Sequence, residues 1–232
     1  MLPAEQLAAV ESQSSEDELD EVDKLKAGEM RARDEQAEDY DKMWMLNLFS
    51  VVEIPLTLKY LGLEQSHLLL EAGCGTGRMT REFAKHAKEV VSVDFSWESL
   101  QRCKRKLTDA GVTNVHLLQA DICRLPFASN QFDRVVSCQV LEHVPQAHHQ
   151  NAARDLGRVL RKGGQLALSA YQYNIFCKMK HDKSGFHDGG IPYYRFDKQE
   201  LRELLSTSLR VERMTGALAY HYLARCRKES AS

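Results

Sequence analysis

The stretch Leu68-Leu69-Leu70-Glu71-Ala72-Gly73-Cys74-Gly75-Thr76-Gly77-Arg78 constrains this chain more than any other. A short apolar run ends in an acidic residue and gives way to a loop with glycine at every second position. Beyond the loop, Met79, Phe83 and the alanines around them are spaced like one face of a helix. The pattern reads as a strand over residues 67–72, a tight turn, and a helix from about 76 to 86, the opening unit of a nucleotide-binding α/β sheet. Glycine permits positive φ and lets backbone N–H groups come close to a ligand. The start of the helix adds N–H groups that have no intrahelical acceptor. A dinucleotide loop is spaced G-x-G-x-x-G to seat a pyrophosphate. The alternating Gly73, Gly75 and Gly77 depart from that spacing, and Glu71 just ahead would repel a pyrophosphate. On the loop alone, a glycine-rich turn with no ligand stays open.

The alternation then repeats. Residues 89–94 form a second strand, followed by a helix from Ser96, its N-cap, to about Ala110, closed by Gly111. Residues 114–119 and 132–138 are the third and fourth strands. A helix over about 147–160, a turn at Lys162-Gly163-Gly164 and a fifth strand over 165–171 complete the series. Such alternation implies right-handed crossovers and a parallel sheet. The apolar runs Leu68-Leu69-Leu70, Val90-Val91 and Val135-Val136 suit strands covered on both faces. After Tyr171 the pattern breaks. Residues 172–194, rich in Lys, His, Gly and Tyr, read as a long loop or small insertion. Asp197 caps a helix to about Leu205, and residues 209–214 and 219–227 read as a closing antiparallel hairpin. Ahead of the core, Tyr40, Met43, Trp44, Leu46, Leu48, Phe49, Val52, Ile54 and Leu56 have helical spacing, which Pro55 is expected to interrupt. Residues 1–38 are polar and mostly acidic, and cannot bury enough surface to offset their chain entropy. They read as a frayed tail or loosely docked helix, with an acidic partner-binding tail as the sharper alternative.

Glu71 and the three alternating glycines resemble the first motif, E/D-x-G-x-G-x-G, of the class I, Rossmann-like S-adenosylmethionine (SAM)-dependent methyltransferases. The resemblance covers residues 39–228. It implies an α/β, doubly wound, mostly parallel seven-stranded sheet of order 3-2-1-4-5-7-6, with an antiparallel last strand and an N-terminal helical lid. It also implies SAM as cofactor. SAM carries no phosphate; its methionyl part is a zwitterion and its sulfonium a cation, so an acidic residue near the loop suits it. From the loop, Glu71, Gly73, Cys74, Gly75 and Arg78 are the candidate cofactor contacts. Asp94 ends the second strand about 20 residues on, the spacing at which an acidic residue reaches ribose hydroxyls; Phe95 beside it can pack on adenine. By the same resemblance, Asp121 at the end of the third strand accepts from the adenine amino group, and the Ile122 N–H meets a ring nitrogen. An Asx-type turn into Leu125-Pro126 is the plainer alternative. The backbone around Cys138 and Gln139 should meet the methionyl amino group, with Cys138 a small neighbour of the ligand rather than a nucleophile.

Val140-Leu141-Glu142-His143-Val144 resembles the L-E-H-V stretch of small-molecule O-methyltransferases, the ubiquinone-pathway group included. His143 is the candidate base for a substrate hydroxyl, since its pKa lies near the working pH. Glu142 is the candidate to orient it or to bind a metal. Some relatives carry another acidic residue where Gln139 stands here, and no metal site is expected. A Glu-His pair capping the next helix is the bland reading. The segment after the fifth strand lies at the carboxyl ends of the strands, where open α/β sheets bind ligands. His187, Tyr193, Tyr194 and Arg195 are therefore candidate acceptor contacts, as are Tyr40 and Trp44 on one face of the lid helix. Tyr194 and Phe196 alternate and could simply pack.

At 232 residues the chain fits one domain with an appendage. A formal net charge of -2 gives no global field for nucleic acid. No apolar run approaches the ~20 residues that span a bilayer, and no basic-then-apolar signal opens the sequence. The 6 cysteines form no C-x-x-C pair or zinc spacing and read as reduced cytosolic thiols. The expectation is a cytoplasmic methyltransferase acting on a small-molecule acceptor at O or N, without nucleic acid or a membrane span, its oligomeric state unread. The Asn/Asp-Pro-Pro-Tyr/Phe motif of nucleic-acid and glutamine N-methyltransferases is absent at the fourth strand. A protein methyltransferase and a non-catalytic SAM-binding module remain as alternatives. A nicotinamide-dependent oxidoreductase is disfavoured by Glu71 and the glycine spacing.

Overall fold

The computed structural model describes residues 44–187, 190–217 and 220–230, together with Gly28. Tyr40 lies outside the described residues, as do the side chain of Trp44 and nearly all of the acidic segment 1–38. In chain order the elements are α1 (Trp44–Leu61), β1 (Leu68–Ala72), α2 (Thr80–Ala84), β2 (Glu89–Asp94), α3 (Trp97–Asp109), β3 (Val115–Gln119) and β4 (Phe132–Cys138). Two 3-10 turns, Leu141–His143 and Gln146–His148, lead into α4 (His149–Val159) and β5 (Leu160–Tyr171). Then come α5 (Ile175–Met179), β6 (Ser184–Phe186), β7 (Pro192–Tyr194), α6 (Lys198–Ser206), β8 (Arg210–Ala217) and β9 (His221–Arg227).

Seven strands form one sheet in the order β3-β2-β1-β4-β5-β9-β8. Strands β1 to β5 run parallel, and β9 is antiparallel to both β5 and β8. This is the expected methyltransferase α/β topology once β6 and β7, a separate two-stranded hairpin, are set aside. Because alternate strand residues face opposite sides, the apolar runs feed two cores. Leu70, Val135, Leu166 and Leu168 pack with Leu156 and Leu201 on one face. Leu69, Val136 and Ala167 pack with Phe83, Tyr60 and Leu61 on the other. Among the described residues no helix is long and apolar enough to cross a membrane.

Four local expectations need correcting. The helix after the glycine loop starts at Thr80, not near Thr76, because Gly75 and Gly77 sit at φ +53° and +82° and a right-handed helix cannot propagate through left-handed positions. Helix α1 runs unbroken through Pro55. Pro55 lies on the exposed side, and the carbonyl left without a partner belongs to Val51, itself 70% exposed, so water can serve it. Strand β5 begins at Leu160; Lys162-Gly163-Gly164 is an irregularity inside it, since Leu160 pairs with Phe132 and Gln165 with Arg134. The region after β5 is not one loop but the short helix α5 and the hairpin β6–β7.

Candidate active site

The site sits where β1, β2, β3 and β4 end. At the tip of β1, the Gly73 and Cys74 N–H groups both donate to the Val93 carbonyl, at 2.8 and 2.9 Å. Gly73 has φ +86°, and a Cβ there would lie 2.2 Å from Val140 Cγ2, so only glycine lets the loop pass this close to the end of β4. Asp94 fixes the loop from β2: Oδ2 accepts from the Gly75 N–H at 2.7 Å and Oδ1 from the Ser96 N–H at 3.0 Å. Ser96 in turn caps α3, its Oγ accepting from the Ser99 N–H at 3.1 Å. Glu71, buried beneath the loop, accepts at Oε2 from Thr80 Oγ1 at 2.7 Å and Ser92 Oγ at 2.8 Å. Burial pushes its carboxyl up to about 7, against the two hydroxyl hydrogen bonds that favour the ionised form.

These residues open onto one cavity. The loop contributes Glu71, Gly73, Cys74, Gly75 and Arg78 to its walls. The strand ends contribute Asp94, Phe95, Asp121, Ile122, Cys138 and Gln139, so every cofactor candidate read from the sequence borders the same space. Asp121 also makes the Asx turn, its Oδ1 accepting from the Cys123 N–H at 2.8 Å, so the two readings of this residue coexist. Burial pushes the Cys138 thiol far above its ordinary range, which suits a neighbour of the ligand and not a nucleophile.

His143 lines the far side of the cavity, buried to 7% exposure. Its Nδ1 is 2.8 Å from the Pro192 carbonyl on β7. A carbonyl can only accept, so Nδ1 carries the proton and in the neutral ring Nε2 is the basic nitrogen. Around it the rings of Tyr171 and His187 stand at 5.6 and 5.8 Å, and Tyr193 stacks on His187 at 4.6 Å. His187 and Tyr193 thus stand beside His143, although neither borders the cavity itself. Tyr194 does not stand there. It points into the core against His149 and Phe196, because on β7 it faces the side opposite to Tyr193. Arg195 is held by Asp182 at 2.6 Å and lies 4.3 Å over the Tyr193 ring, so it braces the hairpin rather than facing the cavity. Glu142 is 1% exposed and is not among the cavity-lining residues.

One contributor escaped the sequence reading. Glu53 on α1 is buried and reaches Arg78, Gln139 and Ser169 behind the cavity wall. The available signal was periodic: Glu53, Thr57 and Tyr60 fall at i, i+4 and i+7, and all three are buried on the face of α1 turned to the sheet.

No group of three or more His, Cys, Asp or Glu among the described residues is arranged to hold a metal ion. What the lining offers is a close-approach glycine loop, several carboxylates and one arginine. That donor set fits a nucleoside that carries a cation and an amino acid in place of phosphates.

Residues 69–164 match the family model of a methyltransferase domain. The matched segment is thus a methyltransferase domain, and the fold around it is the Rossmann-like α/β fold of the class I SAM-dependent methyltransferases, a class whose cofactor is SAM. Among curated proteins, the ubiquinone/menaquinone biosynthesis C-methyltransferase UbiE of Pseudomonas paraeruginosa is 37% identical over 116 residues, 48% of this chain and 44% of that one. The chain therefore matches less than half the length of that relative. Two solved structures share the fold. The 1,6-didemethyltoxoflavin-N1-methyltransferase of Burkholderia thailandensis, solved with bound 1,6-didemethyltoxoflavin and S-adenosylhomocysteine (SAH), has a TM-score of 0.74 at 17% identity, over 89% of this chain and 90% of that one. A SAM-dependent methyltransferase of Methanosarcina mazei has a TM-score of 0.66 at 19% identity, over 76% of this chain and 98% of that one.

Proposed function

We propose that this chain methylates a small-molecule acceptor carrying an ionisable hydroxyl, held beside His143. The observation that carries the reading is the placement of the His143 imidazole on the wall of the cavity built by the glycine loop, with Nδ1 committed to the Pro192 carbonyl. SAM supplies a methyl group already activated on a sulfonium, so the protein has mainly to align the acceptor and exclude water. In this reading Asp94 accepts from the ribose hydroxyls, and Asp121 and the Ile122 N–H read the adenine edge. Arg78 faces the methionyl carboxylate. His143 Nε2 takes the acceptor's proton as the acceptor attacks the methyl carbon and the carbon–sulfur bond breaks, leaving a neutral thioether.

Transfer to carbon is the second reading, favoured by the resemblance to the C-methyltransferase UbiE. The two share a first step. Removing the proton of an enol or phenol puts negative charge on both the oxygen and the adjacent ring carbon, so the same base serves either outcome. The test is turnover of isotopically labelled SAM with a panel of phenols and quinols. A methylated product is expected, with His143→Ala slowing its formation by about 100-fold or more while SAH binding stays within a few-fold of wild type. Full activity in His143→Ala would overturn the role of His143, and turnover only with protein acceptors would overturn the substrate class.

A further inference from the structure

Glu53 lies outside the segment that matches the methyltransferase model, on the helix that precedes the sheet. Its carboxylate is nevertheless 5% exposed and gathers three donors from three places. Oε1 accepts from Ser169 Oγ on β5 at 2.7 Å. Oε2 accepts from Gln139 Nε2, just past β4, at 2.6 Å and from Arg78 Nη2, in the glycine loop, at 3.2 Å. Two of those donors, Gln139 and Arg78, line the cavity.

Gln139 is the telling partner. Its φ is +58°, a left-handed conformation that a residue with a Cβ adopts only when its surroundings impose it. Two contacts impose it here: the Gln139 N–H donates to the Ser169 carbonyl at 3.1 Å, and its side chain donates to Glu53. Since the Ser169 hydroxyl also donates to Glu53, one carboxylate ties together the end of β4, the strand beside it and the loop arginine. Docking α1 does not itself require a buried charge, because apolar packing serves as well or better. The helix has other fastenings: Tyr60 Oη lies 2.9 Å from Thr215 Oγ1, and Arg134 Nε donates to the Leu61 carbonyl at 2.6 Å. What Glu53 adds is orientation of two cavity residues.

We infer that Glu53 is a positioning residue of the cofactor site: it holds the Arg78 guanidinium and the left-handed Gln139 backbone in the posture that receives the methionyl end of SAM. Docking of α1 and cofactor binding are then coupled through this carboxylate, and the coupling is reciprocal. The inference rests on the SAM reading of the cavity.

Calorimetric titration of SAH into the full chain tests it, using Glu53→Gln, Gln139→Gly and the double variant. Glu53→Gln keeps the size of the side chain but turns an N–H toward the donors. It is expected to weaken SAH binding about 10-fold with a cooperative unfolding transition retained. In the Gln139→Gly background the backbone no longer needs holding, and the same substitution should cost about 3-fold. Bound SAH should slow amide exchange over residues 51–61 in wild type and no longer do so in Glu53→Gln. Should Glu53→Gln not fold, Ser169→Ala removes one donor while leaving the charge, and should weaken SAH about 3-fold. Wild-type affinity in Glu53→Gln, or losses that simply multiply in the double variant, would overturn the positioning role and leave the methyltransferase reading standing. A wild-type chain that binds no SAH would overturn both.

Discussion

Glu71 shows how one buried side chain can write itself into the pH dependence of the whole chain. Its carboxyl is raised from an ordinary 4.5 to about 7 by burial. Between those values the folded chain holds a proton that the unfolded chain has released. Stability therefore falls as pH climbs from about 4.5 toward 7 and levels off above, by on the order of 3 kcal/mol in total. Glu71→Gln cannot titrate, so its stability relative to wild type should rise across that window. Urea midpoints at pH 5, 6, 7 and 8 measure this, and parallel profiles for the two proteins would contradict it. Residues at strand ends were the legible ones. Asp94 and Asp121 each follow a recognisable apolar strand, and that position alone aims them at the cavity the glycine loop shapes. Glu53 was not legible, because a buried acid inside an apolar helical series looks like an ordinary polar interruption until its partners are seen. Tyr194 was misassigned for a different reason: in a short irregular segment, composition does not reveal which of two adjacent tyrosines faces the site.

Among the elements, the β6–β7 hairpin does the most with the fewest residues. It supplies the carbonyl of Pro192 that orients His143, and the His187 and Tyr193 rings that wall it in. It is braced by Asp182, which accepts from the Tyr193 hydroxyl at 2.5 Å and from Arg195 at 2.6 Å. Asp182→Ala should loosen the hairpin and let the imidazole drift. The expected result is a 5- to 10-fold lower kcat, roughly, with SAH affinity unchanged, since misplaced catalytic groups lose rate before binding. Equal losses in kcat and SAH affinity would mean that the hairpin supports the cofactor cavity instead. From sequence this region was only an insertion, because its strands are three residues long and carry no periodicity to read. Helix α1 was legible as a helix but not as a continuous one. The rule that proline breaks a helix presumes that the orphaned carbonyl has nowhere to go, and on an exposed face it has water.

For the molecule as a whole, topology was the easiest thing to read and the acceptor the hardest. Repeated strand–helix alternation followed by a closing hairpin points to a mostly parallel sheet with an antiparallel end, and the strand order that the methyltransferase resemblance implies is the one observed. The acceptor, by contrast, is proposed to sit beside His143, where the 3-10 turn and the β6–β7 hairpin, distant in sequence, meet only in the fold. Everything functional depends on the cavity at the strand ends taking a sulfonium nucleoside. Titrating SAH into the intact chain and into Asp94→Asn tests that most directly. Asp94→Asn keeps an acceptor for a loop N–H but removes the charge. Saturable one-to-one binding at micromolar concentration is expected for the wild type, at least about 10-fold weaker in Asp94→Asn. No heat from SAH, or the same affinity in a folded Asp94→Asn variant, would contradict it.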